Sequence, residues 1–114
     1  MSDTTALPLF PLGSVLYPGG LLPLQIFEVR YLNLIKQCLR DNTPFGVIAL
    51  EEGDEVRKPG ESIALAQYGT LAHITQHEAL TPTLLKVRCT GGERFELVSA
   101  QQEMAGLWVG QVRL

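Results

Sequence analysis

His73 and His77 stand four residues apart in "AHITQHEAL". That spacing puts two imidazoles on one face of a helix and, four being even, on one face of a regular strand as well. A metal centre needs a third ligand, and the nearest candidate, Glu78, would point to the other face of such a strand. HExxH does not occur, so no metal site is expected. A cysteine nucleophile needs a stabilised thiolate and a histidine base. Cys38 or Cys89 combines with either histidine on paper, but both cysteines lie in apolar periodic segments, where a thiol behaves as a small hydrophobe. Serine chemistry fares no better: GxSxG and SxxK are missing, and Ser14 in "LGSVL" lacks the second glycine of a nucleophile elbow. The phosphate cradles GxxxxGK[ST] and GxGxxG are missing too. Glu51, Glu52, Asp54 and Glu55 lack the ordered alternation of a calcium loop and read as a solvated charged segment. No catalytic residue, metal or cofactor is therefore expected.

The bulk numbers agree with a packed globular domain. At 114 residues, 46% hydrophobic and 18% charged, the chain is expected to be one domain, residues 1–114, with a single core. A net charge of −3 with scattered basic residues gives phosphate backbones nothing general to adhere to, so nucleic acid is an unlikely partner. The start "MSDTTALPLF" has no basic n-region and carries Asp3, Pro8 and Pro11, which argues against a secretory signal. Buried free thiols in a reducing, cytoplasmic setting, away from membranes, are expected.

The elements that would have to position any site begin with "LPLFPLGSVLYPGGLLPLQIF", Leu7 to Phe27. Its prolines at 8, 11, 18 and 23 exclude one long helix. "YPGG" suits a type II turn, with glycine where φ is positive. Beyond it Leu22, Leu24 and Ile26 share one strand face, and Leu21, Pro23, Gln25 and Phe27 the other. Pro8, Pro11 and Pro23 require edges, strand starts or bulges. From Glu28 to Arg40 the period becomes helical, with Tyr31, Leu32, Ile35, Cys38 and Leu39 as the apolar stripe and "DNTP" as the stop, Pro44 biasing Thr43 away from helical angles.

"FGVIALE" predicts a central strand, covered on both faces, and "EGDEVRKPGES" a surface loop. In the next strand Tyr68, Thr70, Ala72 and Ile74 share a face. "TLLKVRCT" alternates Leu85, Val87 and Cys89 against Lys86 and Arg88, and "ERFELVSA" sets Phe95 and Leu97 against Arg94 and Glu96. Gly91-Gly92 between them predicts a two-residue hairpin turn. "GLWVGQVRL" ends in a last strand that either leads into further chain or pairs with the N-terminal strand.

The order of these pieces resembles the Lon protease N-terminal domain family. The resemblance rests first on "LPLFPLGSVLYPGGLLPLQIFEVRY" and continues through "FGVIAL", "YGTLAHI" and "LLKVRCTGGERFEL" in the same order. It implies a mainly β (α+β) fold, a PUA-like pseudobarrel of about six strands with one α-helix after the second strand. It also implies the stand-alone bacterial type, without the helical portion that follows this region in the proteases. The Walker motif and protease domain are not in this sequence, so no proteolytic activity is carried over. The matching positions Pro11, Pro18, Gly19, Pro23, Phe27, Gly69 and Thr70 are read as determinants of fold.

The expected function is a non-enzymatic module that holds apolar segments of other polypeptides. The candidate contacts are Tyr17, Leu21, Leu22, Phe27 and Tyr68, on the exposed face of the second strand and beside the loop before Tyr68. Pairing of an extended peptide with a strand edge is the mechanism in view. Partners would be unfolded or extended polypeptide segments, with a protease or other protein as a further candidate; oligomeric state is left open. Two rivals are a PUA-like RNA or small-ligand binding module and a hydrolase using Cys38, Cys89 or Ser14.

Overall fold

The proline-rich start of the chain forms two strands that do not pair with each other. The computed structural model describes residues 3–50 and 65–114. In chain order these form β1 (Thr5–Leu12), β2 (Leu21–Ile26), α1 (Val29–Asp41), β3 (Phe45–Leu50), β4 (Leu65–Thr81), β5 (Leu84–Gln102) and β6 (Trp108–Arg113). The expected loop "EGDEVRKPGES" and the carboxylates Glu51, Glu52, Asp54 and Glu55 lie outside the described residues.

The sheet order is β2-β5-β4-β3-β1-β6, and β5 also pairs with β6. Five strands thus close into a ring, while β2 hangs from β5 as a flap. β1 and β3 are parallel, and the remaining pairs are antiparallel. This is the mainly β pseudobarrel with one helix after the second strand, and the last strand does pair with the N-terminal one.

The prolines explain how β1 can sit inside the sheet. Thr5 to Leu9 register with β6, and Leu9 to Leu12 register with β3. Pro8 therefore lies in a half-strand paired on the β6 side and Pro11 in one paired on the β3 side, so each ring can face an unpaired flank. The expectation of an edge is met half-strand by half-strand. Pro23 lies on β2, whose ladder among the described residues runs to β5 alone.

The "YPGG" turn is type II, with Gly19 at φ 78° and the Gly20 N–H donating 2.8 Å to the Tyr17 carbonyl. α1 buries Tyr31, Leu32, Leu34, Ile35 and Cys38, with Leu39 half-buried at the margin. Leu34, three residues after Tyr31 and four before Cys38, widens the expected stripe. The helix ends at Asn42, left-handed at φ 54°, where the Thr43 N–H reaches back 3.1 Å to the Cys38 carbonyl. Asn42 is thus the stop, ahead of the Thr43-Pro44 pair.

Gly91-Gly92 is not a hairpin. β5 runs through it without interruption, and the register with β4 slips between Thr70/Arg94 and Ala72/Gly91, so that β5 carries one extra residue. This bulge bends β5. Residues before it, Leu85 to Thr90, pair with β2, and residues after it, Glu96 to Gln102, pair with β6. A glycine is needed because a Cβ on Gly91 would run into the Tyr17 carbonyl. Along β4 both faces are covered where the strand passes between the clusters, so Gly69, Thr70, Leu71 and Ala72 are all buried, while Tyr68 is exposed.

Two apolar clusters fill the interior. One packs α1, through Leu32, Ile35 and Cys38, against Phe45, Val47, Val87 and Cys89, and the other gathers Leu9, Ile48, Leu71, Phe95, Trp108 and Val112. Burying such a side chain contributes about 1.5–3 kcal/mol. Arg30 ties the helix start to the β5–β6 turn, donating 2.7 Å to the Gly106 carbonyl while its guanidinium lies 4.7 Å from the Tyr31 ring centre.

Candidate polypeptide-binding face

β2 is an amphipathic strand laid on the flank of the ring. Leu22, Leu24 and Ile26 turn inward against the first cluster. Leu21, Pro23, Gln25 and the following Phe27 face out, Leu21 at 71% and Phe27 at 67% exposure. Tyr17, at 64%, stands at the turn that leads into the strand. Tyr17, Leu21 and Phe27 are thus each exposed, before, on and just after β2, while Leu22 lies on the inner face. Tyr68 belongs elsewhere. It lines a separate hollow of about 220 Å³ with Val15, Leu16, Val47 and Arg94, at the start of β4.

The backbone of β2 has a free flank among the described residues. The Gly91 N–H donates 2.8 Å to the Gly20 carbonyl. Because an antiparallel strand turns its peptide groups alternately to either side, Gly20, Leu22, Leu24 and Ile26 bond toward β5, and Leu21, Pro23 and Gln25 turn theirs outward. Pro23 brings a carbonyl but no donor. Side chains on the outer face follow the register: Pro23 lies opposite Arg88 and Gln25 opposite Lys86. One strand further in, Gln76 lies opposite Arg88 and Glu78 opposite Lys86. Pro23, Gln76, Glu78, Lys86 and Arg88, with His77 and Val87, line a groove of about 480 Å³. Sequence reasoning placed Lys86 and Arg88 on the outer face but did not connect them with β2, because nothing local tells which strand β5 will join.

The residues considered for bond-breaking chemistry are not assembled. The register slips between Ile74 and Gln76, so His73 lies opposite Thr90 and shares its outward face, while His77 lies opposite Val87 and shares the other. One bulge has removed the common face that the spacing of four promised. Among the described residues no three His, Cys, Asp or Glu side chains form a group able to hold a metal. Cys38 and Cys89 are buried free thiols. Burial pushes the Cys89 thiol up to about 11, with Cys38 nearby adding to the shift, and burial raises Cys38 as well. Both are weak nucleophiles at neutral pH. Ser14 is exposed in the connection after β1, and no hydrogen bond joins it to a histidine among the described residues. No helix among the described residues is long and apolar enough to cross a membrane.

Comparison with known proteins places the chain in a family. The profile of the ATP-dependent protease La (LON) substrate-binding domain matches residues 6–114. Lon protease 2 of Myxococcus xanthus is 34% identical over 98 residues, covering 85% of this chain but 12% of that protein. Lon protease of Anaeromyxobacter dehalogenans is 32% identical over 98 residues, again 85% of this chain and 11% of the other. The crystal structure of a Lon N-terminal domain protein from Xanthomonas campestris superimposes with a TM-score of 0.81 at 37% identity, covering 96% of this chain and 59% of that one. The N-terminal domain of Mycobacterium avium complex Lon protease shares the fold, with a TM-score of 0.61 at 12% identity over 96% of this chain and 54% of that one. The chain thus spans roughly an eighth of the length of the whole proteases it matches.

Proposed function

Because this chain belongs to the Lon substrate-binding domain family, we propose that it is a non-enzymatic module that holds apolar segments of other polypeptides. The reading is carried by the large apolar side chains left in water on and around β2, Leu21 on the strand with Tyr17 before it and Phe27 just after it, beside a strand edge that has no partner among the described residues. Apolar side chains exposed together on a rigid strand gain by covering one another with a partner's. Leu22 backs the strand from inside, and Tyr68 with Val15 offers a second apolar contact at the start of β4. The proposed partners are unfolded or extended polypeptides in the cytoplasm, with a protease or other protein as the recipient of what is held. Breaking peptide bonds is left to such a partner, since burial holds the two thiols protonated and the histidines are set on opposite faces.

The test is binding of a permanently reduced, carboxymethylated protein against its native form, followed by crosslinking. The unfolded form should be retained and the native form not. Leu21→Asp with Phe27→Asp should weaken retention about tenfold, or 1.4 kcal/mol, with an unchanged circular dichroism spectrum. Equal retention of native and unfolded forms, or an unaffected double variant, would overturn this reading.

A further inference from the structure

This inference rests on the polypeptide-holding reading and specifies what is held. We propose that the bound segment adds to the free flank of β2 as a further strand, and that Arg88 and Lys86, reaching across Pro23 and Gln25, select segments with acidic side chains at alternate positions.

Strand addition needs outward peptide groups, and β2 has them at Leu21, Pro23 and Gln25, fixed by the Gly91 to Gly20 bond at the head of the ladder. The flank offers three carbonyls and the two N–H groups of Leu21 and Gln25, with Pro23 as a gap between the donors. Such a gap discourages pairing between two copies of β2, since a proline mid-edge is a common device against self-association. An incoming segment with donors to spare loses one bond at Pro23 and keeps those on either side.

Selectivity follows from the outer face. Side chains of the added strand opposite Leu21, Pro23 and Gln25 would project on the same side as Arg88 and Lys86, because residues paired across an antiparallel ladder share a face. The added strand would lie about 10 Å from β5, two interstrand spacings. Pro23 is short and rigid, so the long stem of Arg88 can lie over it and meet a carboxylate on the incoming strand. Arg88 is flanked by the uncharged Pro23 and Gln76, and among the described residues neither Arg88 nor Lys86 has an ion-pair partner. Lys86 has Glu78 opposite it on the β4 side and Gln25 on the β2 side. Two cations without a bonded anion among the described residues, one strand in from an edge that has no partner among them, make an acidic segment the complementary occupant. Beside Leu21 an apolar side chain fits, so the favoured pattern is an apolar residue followed at every second position by an acid.

The test uses the whole chain and fluorescein-labelled ten-residue peptides read by fluorescence anisotropy. One peptide alternates valine with glutamate, one replaces every glutamate by glutamine, and one carries N-methyl groups on alternate residues of the acidic sequence. The acidic peptide should bind about three- to tenfold tighter than the glutamine peptide in low salt, as one or two partly exposed ion pairs would give. The difference should shrink in 0.5 M salt and vanish in the Arg88→Gln, Lys86→Gln chain, whose melting temperature should be unchanged. The N-methylated peptide, methylated on the glutamates whose N–H groups would face β2, should lose binding. Equal binding of acidic and glutamine peptides, or a preference that survives the double variant, would overturn the inference. If the reduced protein is still retained in that case, the polypeptide-holding reading stands and the acidic selection alone falls. Failure to retain either peptide or reduced protein would overturn both.

Discussion

The hydroxyl of Thr70, in the middle of β4, donates a 2.7 Å hydrogen bond to the carbonyl of Leu16, fifty-four residues earlier in the loop between β1 and β2. Both residues are buried. The bond ties the loop that carries Tyr17 to the wall of the ring, so the entry to β2 is held by side-chain chemistry as well as by its own turn. Thr70→Val, which keeps the shape and removes the donor, should lower stability by about 1–3 kcal/mol because a buried carbonyl loses its partner. Thr70→Ser should recover most of it. Urea unfolding of the three proteins checks this, and a Thr70→Val protein as stable as the parent would show that the loop is held by packing alone.

Gly91 meets the same loop from the other side. Gly91→Ala would force a methyl group against the Tyr17 carbonyl, at the point where Gly19 and Gly20 bond to Gly91. A loss of about 1–3 kcal/mol is expected, as for overpacked cores. Gly13→Ala has open space around it and should stay within about 0.5 kcal/mol of the parent. Melting temperatures of the pair separate a steric clash from a general loss of glycine flexibility.

Ile35 lies at the centre of the α1 stripe with no exposed surface. Ile35→Ala should cost about 2–5 kcal/mol through lost burial and the cavity left behind. Chemical denaturation measures it directly. An unchanged midpoint would mean that the helix does not pack on the barrel as described.

Cys89 links burial to pH. Its thiol is held up to about 11 in the folded chain against 9.0 for a free thiol, and Cys38 is raised too. Between those values the unfolded chain has released protons that the folded chain retains, so stability should fall as pH rises from about 9 to 11. Below pH 9 these thiols should add no pH dependence. Cys89→Ala should flatten the alkaline decline relative to the parent, and thiol labelling at pH 8 should be slow until denaturant is added. Rapid labelling of the native protein would contradict the burial of both thiols.

Much of this structure could be read from local chemistry. The type II turn at Tyr17–Gly20, the inward Leu22, Leu24 and Ile26, the helix and the alternation of Leu85, Val87 and Cys89 against Lys86 and Arg88 follow from φ preferences and from periods of 2 and 3.6. Those preferences act within a few residues, so the sequence alone suffices for them. Where a glycine pair makes a hairpin and where it makes a bulge is not local. Gly91-Gly92 is compatible with either, and the approach of the Tyr17 carbonyl from seventy-four residues away decides for the bulge. The extra residue between Ile74 and Gln76 likewise turns His77 off the face of His73, which no counting of spacings reveals. The candidate site divides in the same way. Exposed Leu21 and Phe27 were legible because their strand alternates. That β2 would pair with β5, leave its other flank open and stand beside Arg88 and Lys86 was settled by the tertiary structure, since strand pairing joins distant segments whose complementarity exists only after the chain has folded.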